Sequence, residues 1–90
     1  MKKVYRVYTN KDRLESEFNM WKTLNQSYIN KINETKKILY YKEGTDLHFI
    51  MYTKEKLKGL SNCYVELDLI FDLLYYEEAL EIAKKINVDN

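Results

Sequence analysis

KILYYKEGTDLHFIMY, residues 37–52, decides the fold. Residues 37–41 and 47–52 are two apolar runs rich in aromatic and β-branched side chains, and residues 42–46 between them contain Gly44. A short glycine-bearing loop between two such runs is a β-hairpin signal. Outward from the hairpin, residues 28–32 read as a short strand joined to it by a turn at residues 33–35, and residues 63–67 read as a further strand. Residues 53–60 are too polar for a core strand and suit one turn of helix closed by Gly59 as its C-cap. Near the start of the chain, residues 3–8 are valine and tyrosine with polar interruptions and read as the first strand.

Helical spacing frames this β-rich centre. Leu14, Phe18, Trp21 and Leu24 share one face of a helix predicted over residues 11–26, with Thr9 or Asn10 as N-cap and Asp12 favouring the positive end of its dipole. From Asp68 onward the pattern is again helical. Tyr76, Ala79, Leu80, Ala83 and Asn87 make one stripe, Tyr75, Ile82 and Ile86 lie beside it, and Asp68 or Asp72 is the cap. The order β-α-β-β-β-β-α predicts one α+β domain over residues 1–90, a single mixed or antiparallel sheet with two helices packed on one face. A right-handed crossover in the first strand-helix-strand passage would make the sheet mixed rather than antiparallel.

Composition narrows the function. The chain has 90 residues and a net charge of +1, so no bulk charge drives it onto nucleic acid. The single Cys63 excludes zinc ribbons and disulfide scaffolds. Glycines at 44 and 59 alone cannot build a phosphate-cradling loop, which removes nucleotide-triphosphate enzymes of the usual kind. No run approaches the ~18 apolar residues of a membrane span, and no signal-peptide pattern follows Met1, so the expected setting is the cytoplasm without membrane contact. Lys, Tyr, Asn, Ile, Phe and Met make up 43 of the residues while Gly, Ala, Arg and Pro make up 6, a bias of AT-rich coding that fits low-GC bacteria and their phages.

Three constellations could carry chemistry or contact. Asp46 and His48, two apart on a strand, share a face, as do Glu66 and Asp68. Were their strands neighbours, these four could hold a divalent metal for phosphodiester hydrolysis. The same spacing is also the polar side of any half-buried strand, which is the stronger reading. Lysines 36, 37, 42, 54, 56 and 58 interleave with Tyr40, Tyr41 and Tyr52, as in a surface that stacks bases, but Glu34, Glu43, Asp46 and Glu55 cancel much of that charge. Tyrosine is in excess, with Tyr40-Tyr41 and Tyr75-Tyr76 as adjacent pairs. Tyr40, Tyr41, Tyr52, Tyr75 and Tyr76 are therefore the candidate interaction surface.

Residues 37–50, then Leu57-Lys58-Gly59-Leu60, then residues 63–68 resemble the middle of phage terminase and helicase-type ATPases, which have a hairpin, a short basic-glycine segment and a hydrophobic strand ending in acidic residues. The resemblance implies a magnesium-handling role for Asp68 or Glu66. The chain departs from that family in lacking a phosphate-binding loop, which implies a fragment that kept the sheet and lost ATP turnover. Together these readings predict a small non-enzymatic binding or inhibitor protein of phage or mobile-element type, without cofactor, acting on a host protein such as a defence or CRISPR effector. The alternatives are a small metal-dependent phosphodiesterase or nuclease using Asp46, His48, Glu66 and Asp68, or a sponge for a nucleotide signal. A homodimer through an open sheet face or edge, leaving Ile38 or Ile50 with Tyr40 and Tyr52 to be covered, is the expected assembly.

Overall fold

The computed structural model describes residues 2–88 and places Lys2–Tyr8 (β1) in the middle of the sheet rather than at its edge. α1 (Lys11–Leu24), β2 (Ile29–Asn33), β3 (Ile38–Tyr41), β4 (Thr45–Met51), α2 (Lys54–Lys58), β5 (Tyr64–Leu67) and α3 (Leu73–Val88) follow in order. The strands lie side by side as β2-β3-β4-β1-β5, with β1 parallel to both β4 and β5 and β3 antiparallel to β2 and β4. The sheet is mixed, and the class is α+β. Two antiparallel steps make β2 parallel to β1, so β1-α1-β2 is a crossover, and the meander β2-β3-β4 then returns to pair with β1.

The helices divide between the two faces, where the sequence predicted both on one. Val4, Tyr8, Leu39, Leu47 and Phe49 meet Leu14 and Phe18 of α1. Val7, Cys63 and Val65 meet Leu57 of α2 and Ala79, Ala83 and Ile86 of α3 on the other side. Topology requires this of α1 and α2, and α3 packs on the face that α2 occupies. The crossover through α1 leaves β1 toward β2, while the crossover through α2 runs from β4 past β1 to β5 in the opposite direction. Two crossovers of equal hand and opposite direction put their helices on opposite faces. β1 supplies apolar side chains to both, Val4 and Tyr8 one way and Tyr5 and Val7 the other.

Local chemistry sets the ends of the elements. The Asn10 side chain accepts from the Arg13 N–H at 3.0 Å and starts α1. α1 stops at Leu24, two residues before the predicted end, and Leu24 is 73% exposed. At about 100° per residue it lies roughly a quarter turn off the line of Leu14 and Phe18, and Asn25 takes the inward position instead. The hairpin loop shortens to residues 42–44, where Gly44 with φ +109° holds a conformation that L side chains rarely adopt. Gly59 does close α2, with its N–H reaching the Glu55 and Lys56 carbonyls at 3.1 and 3.2 Å. Its φ is −78°, so the left-handed cap expected of a glycine is not used there. α3 begins at Leu73 rather than Asp68, because Asp68 turns inward and Asp72 is the cap, accepting from the Leu74 N–H at 3.0 Å.

Phe18 is fully buried and meets Phe49 edge-on at 5.4 Å. Phe18→Ala should lower the unfolding free energy by about 3–5 kcal/mol, whereas Leu24→Ala should change it by no more than about 0.5 kcal/mol. Urea denaturation followed by far-UV circular dichroism measures both.

Candidate interaction surface

Two arginines organise the region around the carboxyl ends of β1 and β5. Arg13 of α1 grips Asp68 with both arms, Nε to Oδ2 at 2.8 Å and Nη2 to Oδ1 at 2.6 Å, and the Asp68 side chain has no exposed surface. Arg6 of β1 bonds Glu66 of β5 at 2.7 Å and Glu17 of α1 at 3.3 Å. Glu17 also accepts from the Tyr8 hydroxyl at 2.6 Å and pairs with Arg13 at 3.4 Å. The charges thus alternate as Glu66, Arg6, Glu17, Arg13, Asp68 from edge strand to helix and back. Burial, together with the Glu17 carboxylate, pushes the Tyr8 phenol far above its usual range. Arg13, with help from the Leu69 and Ile70 N–H groups, holds the Asp68 carboxyl below the usual carboxylate value.

The turn after Asp68 is fixed from inside. Phe71 is buried against the α2/α3 core, and the Asp72 N–H donates to the Thr9 hydroxyl at 2.9 Å. With Asp68, Phe71 and Asp72 anchored, the residues between and just after them have only solvent to face. Leu69 is 95% exposed, Ile70 62%, Leu73 86% and Leu74 78%, with Tyr75 and Tyr76 half-exposed beside them. Four large aliphatic side chains on the pinned turn and the first residues of α3 make an apolar knuckle (residues 69–76), and contiguous exposure of this kind marks contact sites on proteins.

The predicted tyrosine surface divides. Tyr52, Tyr75 and Tyr76 gather around Phe71, at ring distances of 5.4 Å for Tyr52–Phe71, 5.9 Å for Tyr52–Tyr75 and 6.2 Å for Phe71–Tyr76. Tyr52 donates to Glu78 at 2.6 Å, and burial followed by that carboxylate pushes its phenol up to about 12. Tyr40 and Tyr41 lie on β3, two strands from β1, half-buried on opposite faces, and do not join this cluster. The Tyr41 hydroxyl is buried without a hydrogen-bond partner among the described residues.

The four residues of the metal reading do not converge. Asp46 and His48 share a face of β4, as expected, with His48 stacked on Tyr5 at 4.3 Å and its pKa pushed down by burial. Glu66 lies on the opposite face beside Arg6, β1 separates β4 from β5, and Asp68 is committed to Arg13. Among the described residues no group of three or more His, Cys, Asp or Glu could hold a metal ion. Cys63 is buried and its thiol pKa is raised by that burial, as suits a core residue.

A crevice of about 340 Å³ opens between the carboxyl ends of β1 and β4, lined in part by Thr9, Tyr52, Lys54, Glu55, Asp72 and Glu78. It lies where the chain leaves β1 for one face and β4 for the other, the place at which open α/β sheets bind ligands. Its carboxylates outnumber Lys54, whose amino group is paired with Glu78 at 3.1 Å, so the crevice disfavours a phosphate.

Leu69, Ile70, Leu73 and Leu74 are the surface residues that the sequence reading missed. Ile70 and Leu74 carried a signal, because they fit neither stripe of the C-terminal helix, whereas Leu69 and Leu73 continue the Tyr76 stripe at spacings of four and three and so look like core residues. No protein-family model, curated protein or solved structure matches the chain.

Because the folded Asp68 pKa lies below its unfolded value near 3.8, its contribution to stability is present above that pH and is lost as pH falls through the depressed folded value. Asp68→Asn should therefore destabilise the protein at neutral pH and flatten the loss of stability below about pH 4, in melts taken from pH 2 to 7. Tyr41→Phe, which deletes an unpaired buried hydroxyl, should leave stability unchanged or raise it by up to about 1 kcal/mol in the same melts.

Proposed function

We propose that this is a non-enzymatic binding protein of phage or mobile-element type, acting by protein–protein contact with a host target such as a defence or CRISPR effector. The observation that carries the contact is the apolar knuckle, exposed on the turn after Asp68 and the first residues of α3, which the buried Asp68 and Phe71 side chains and the Asp72 N–H bond to Thr9 hold in place. Burying Leu69, Ile70, Leu73 and Leu74 at about 1.5–3 kcal/mol each is of the same order as the roughly 4–15 kcal/mol lost on association. The knuckle therefore suits the centre of an interface, with Tyr75 and Tyr76 as its aromatic rim. AT-rich coding supports the phage setting. The host cytoplasm fits a chain with one buried thiol, and no helix among the described residues is long and apolar enough to cross a membrane.

The resemblance to terminase and helicase-type ATPases belongs to the same proposal as a statement of origin, since residues 37–68 run from the start of the hairpin to the end of β5. A homodimer draws its support from the knuckle rather than from a bare sheet face, because Ile38 is buried within one chain and both faces carry helices. The nuclease reading has no assembled metal site to support it, and the nucleotide reading meets an acidic crevice.

Leu73→Glu/Leu74→Glu alters exposed positions only and should melt within a few degrees of the wild type. Affinity capture from a low-GC bacterial lysate should give a stoichiometric partner with the wild type and none with this double variant. Equal capture by both, or Mg²⁺-dependent nucleic-acid cleavage lost in Asp68→Ala, overturns the proposal. Light scattering across a dilution series shows whether the knuckle also binds itself, as a mass above 11.0 kDa that the double variant lacks.

A further inference from the structure

β5 is an edge strand, and both outward backbone groups of one of its residues are already held by a side chain. Asn87 of α3 sets its carboxamide against Val65, accepting from the Val65 N–H at 2.7 Å and donating to the Val65 carbonyl at 3.0 Å. Bonding both backbone groups of one residue is what the peptide groups of an adjoining strand do. The Asp68 N–H points inward to the Val7 carbonyl at 2.9 Å. Alternation therefore sends the backbone groups of Tyr64 and Glu66 to β1, and those of Val65 and Leu67 to the outer edge, where the sheet has no further strand among the described residues. Beside this edge α3 forms the second wall of a groove of about 290 Å³, lined by Leu67, Leu69, Tyr76, Leu80, Ala83 and Asn87. Lys84 also lines it, and no carboxylate among the described residues pairs with that amino group.

We propose that this groove receives an extended peptide segment of a protein partner, which adds to β5 as a sixth strand and displaces the Asn87 carboxamide. The occupant's chemistry follows from the walls. Backbone donors and acceptors two residues apart select an extended chain, because the backbone groups of a helix are already paired. The aliphatic and aromatic wall selects apolar side chains at alternate positions, and unpaired Lys84 selects an acidic residue or a terminal carboxylate. Asn87 acts as an internal competitor that shields the edge until a strand of matching side chains replaces it. Leu69 and Tyr76 belong to both groove and knuckle, so the added strand and the knuckle form one continuous surface. The inference rests on the docking reading for its partner being a protein.

The probe is a displayed library of random 12-residue peptides, selected on the immobilised full chain and measured in solution by fluorescence anisotropy. Enriched peptides should alternate apolar residues and carry an acidic one. Asn87→Ala should bind them about tenfold more tightly, the gain expected when a neutral hydrogen-bonded competitor is removed. Leu67→Pro, which deletes an outward N–H and no bond to β1, should bind them at least tenfold more weakly. Leu80→Glu, which leaves the strand backbone intact, should weaken them as well and guards against local unfolding in the proline variant. Leu73→Glu/Leu74→Glu lies outside the groove and should bind the peptides normally, so loss of protein capture in that variant alone reports on the knuckle and not on the edge. No enriched sequence, peptides that bind Leu67→Pro and Leu80→Glu as well as wild type, or peptides that bind Asn87→Ala no better, overturns the inference.

Discussion

The two-armed contact between Arg13 and Asp68 joins the first helix to the far end of the last strand, and much of the structure is placed by it. The chain uses thirteen lysines but two arginines, and both arginines sit in the same network. A planar guanidinium can meet a carboxylate through two parallel hydrogen bonds, which an ammonium cannot. Asp68 has no solvent to fall back on, so a lysine at position 13 would leave part of its carboxylate unsatisfied. The network also compensates for the position of β5, which pairs with β1 alone and has four residues. Arg6 to Glu66 and Arg13 to Asp68 clamp this short strand at two successive positions on one face, while Asn87 holds it from the edge.

That clamp explains why so much apolar surface is displayed. Asp68 is pulled in toward α1 and Phe71 toward α3, and a turn drawn to both faces of the sheet must present its remaining side chains outward. Exposure at Leu69, Ile70, Leu73 and Leu74 thus follows from well-satisfied polar and aromatic anchors, not from a shortage of core. The division of helices between the faces serves the same end, since it brings the starts of α1 and α3 to the two sides of one sheet end, joined by the Thr9–Asp72 hydrogen bond.

Much of this was legible in the sequence. The strands, the hairpin around Gly44 and the long helices follow from period-two and period-3.6 patterns, and the first crossover follows from strand order and handedness. Placing both helices on one face failed because a local pattern says which side of a helix is apolar, not which face of the sheet it meets. That choice depends on β1 lying between β4 and β5, a pairing across most of the chain. Leu24 was misplaced because three-residue steps drift off a 3.6-residue helix, so the last member of the series had rotated out of the stripe. Asp46 and His48 do share a face, but the spacing that put them there holds within one strand only, and nothing local reveals that β1 parts them from Glu66. The knuckle was hidden for a related reason. Leu69 and Leu73 continue the four- and three-residue steps of Tyr76, Leu80, Ala83 and Asn87, so helical periodicity runs back past the point where α3 begins and gives two exposed residues the spacing of core ones.

The central position of β1 also dictates an order of events. Residues 2–8 have both flanks paired only when residues 45–51 and 64–67 are present, so the first strand made is among the last to be completed. A nascent or truncated chain ending before residue 64 carries β1 with one open edge and without α3, the kind of intermediate that pairs with its neighbours instead. With no proline in the sequence, slow isomerisation cannot limit folding, and the rate falls to the search for these distant partners. A chain cut before residue 64 is therefore expected to aggregate rather than form a smaller working domain.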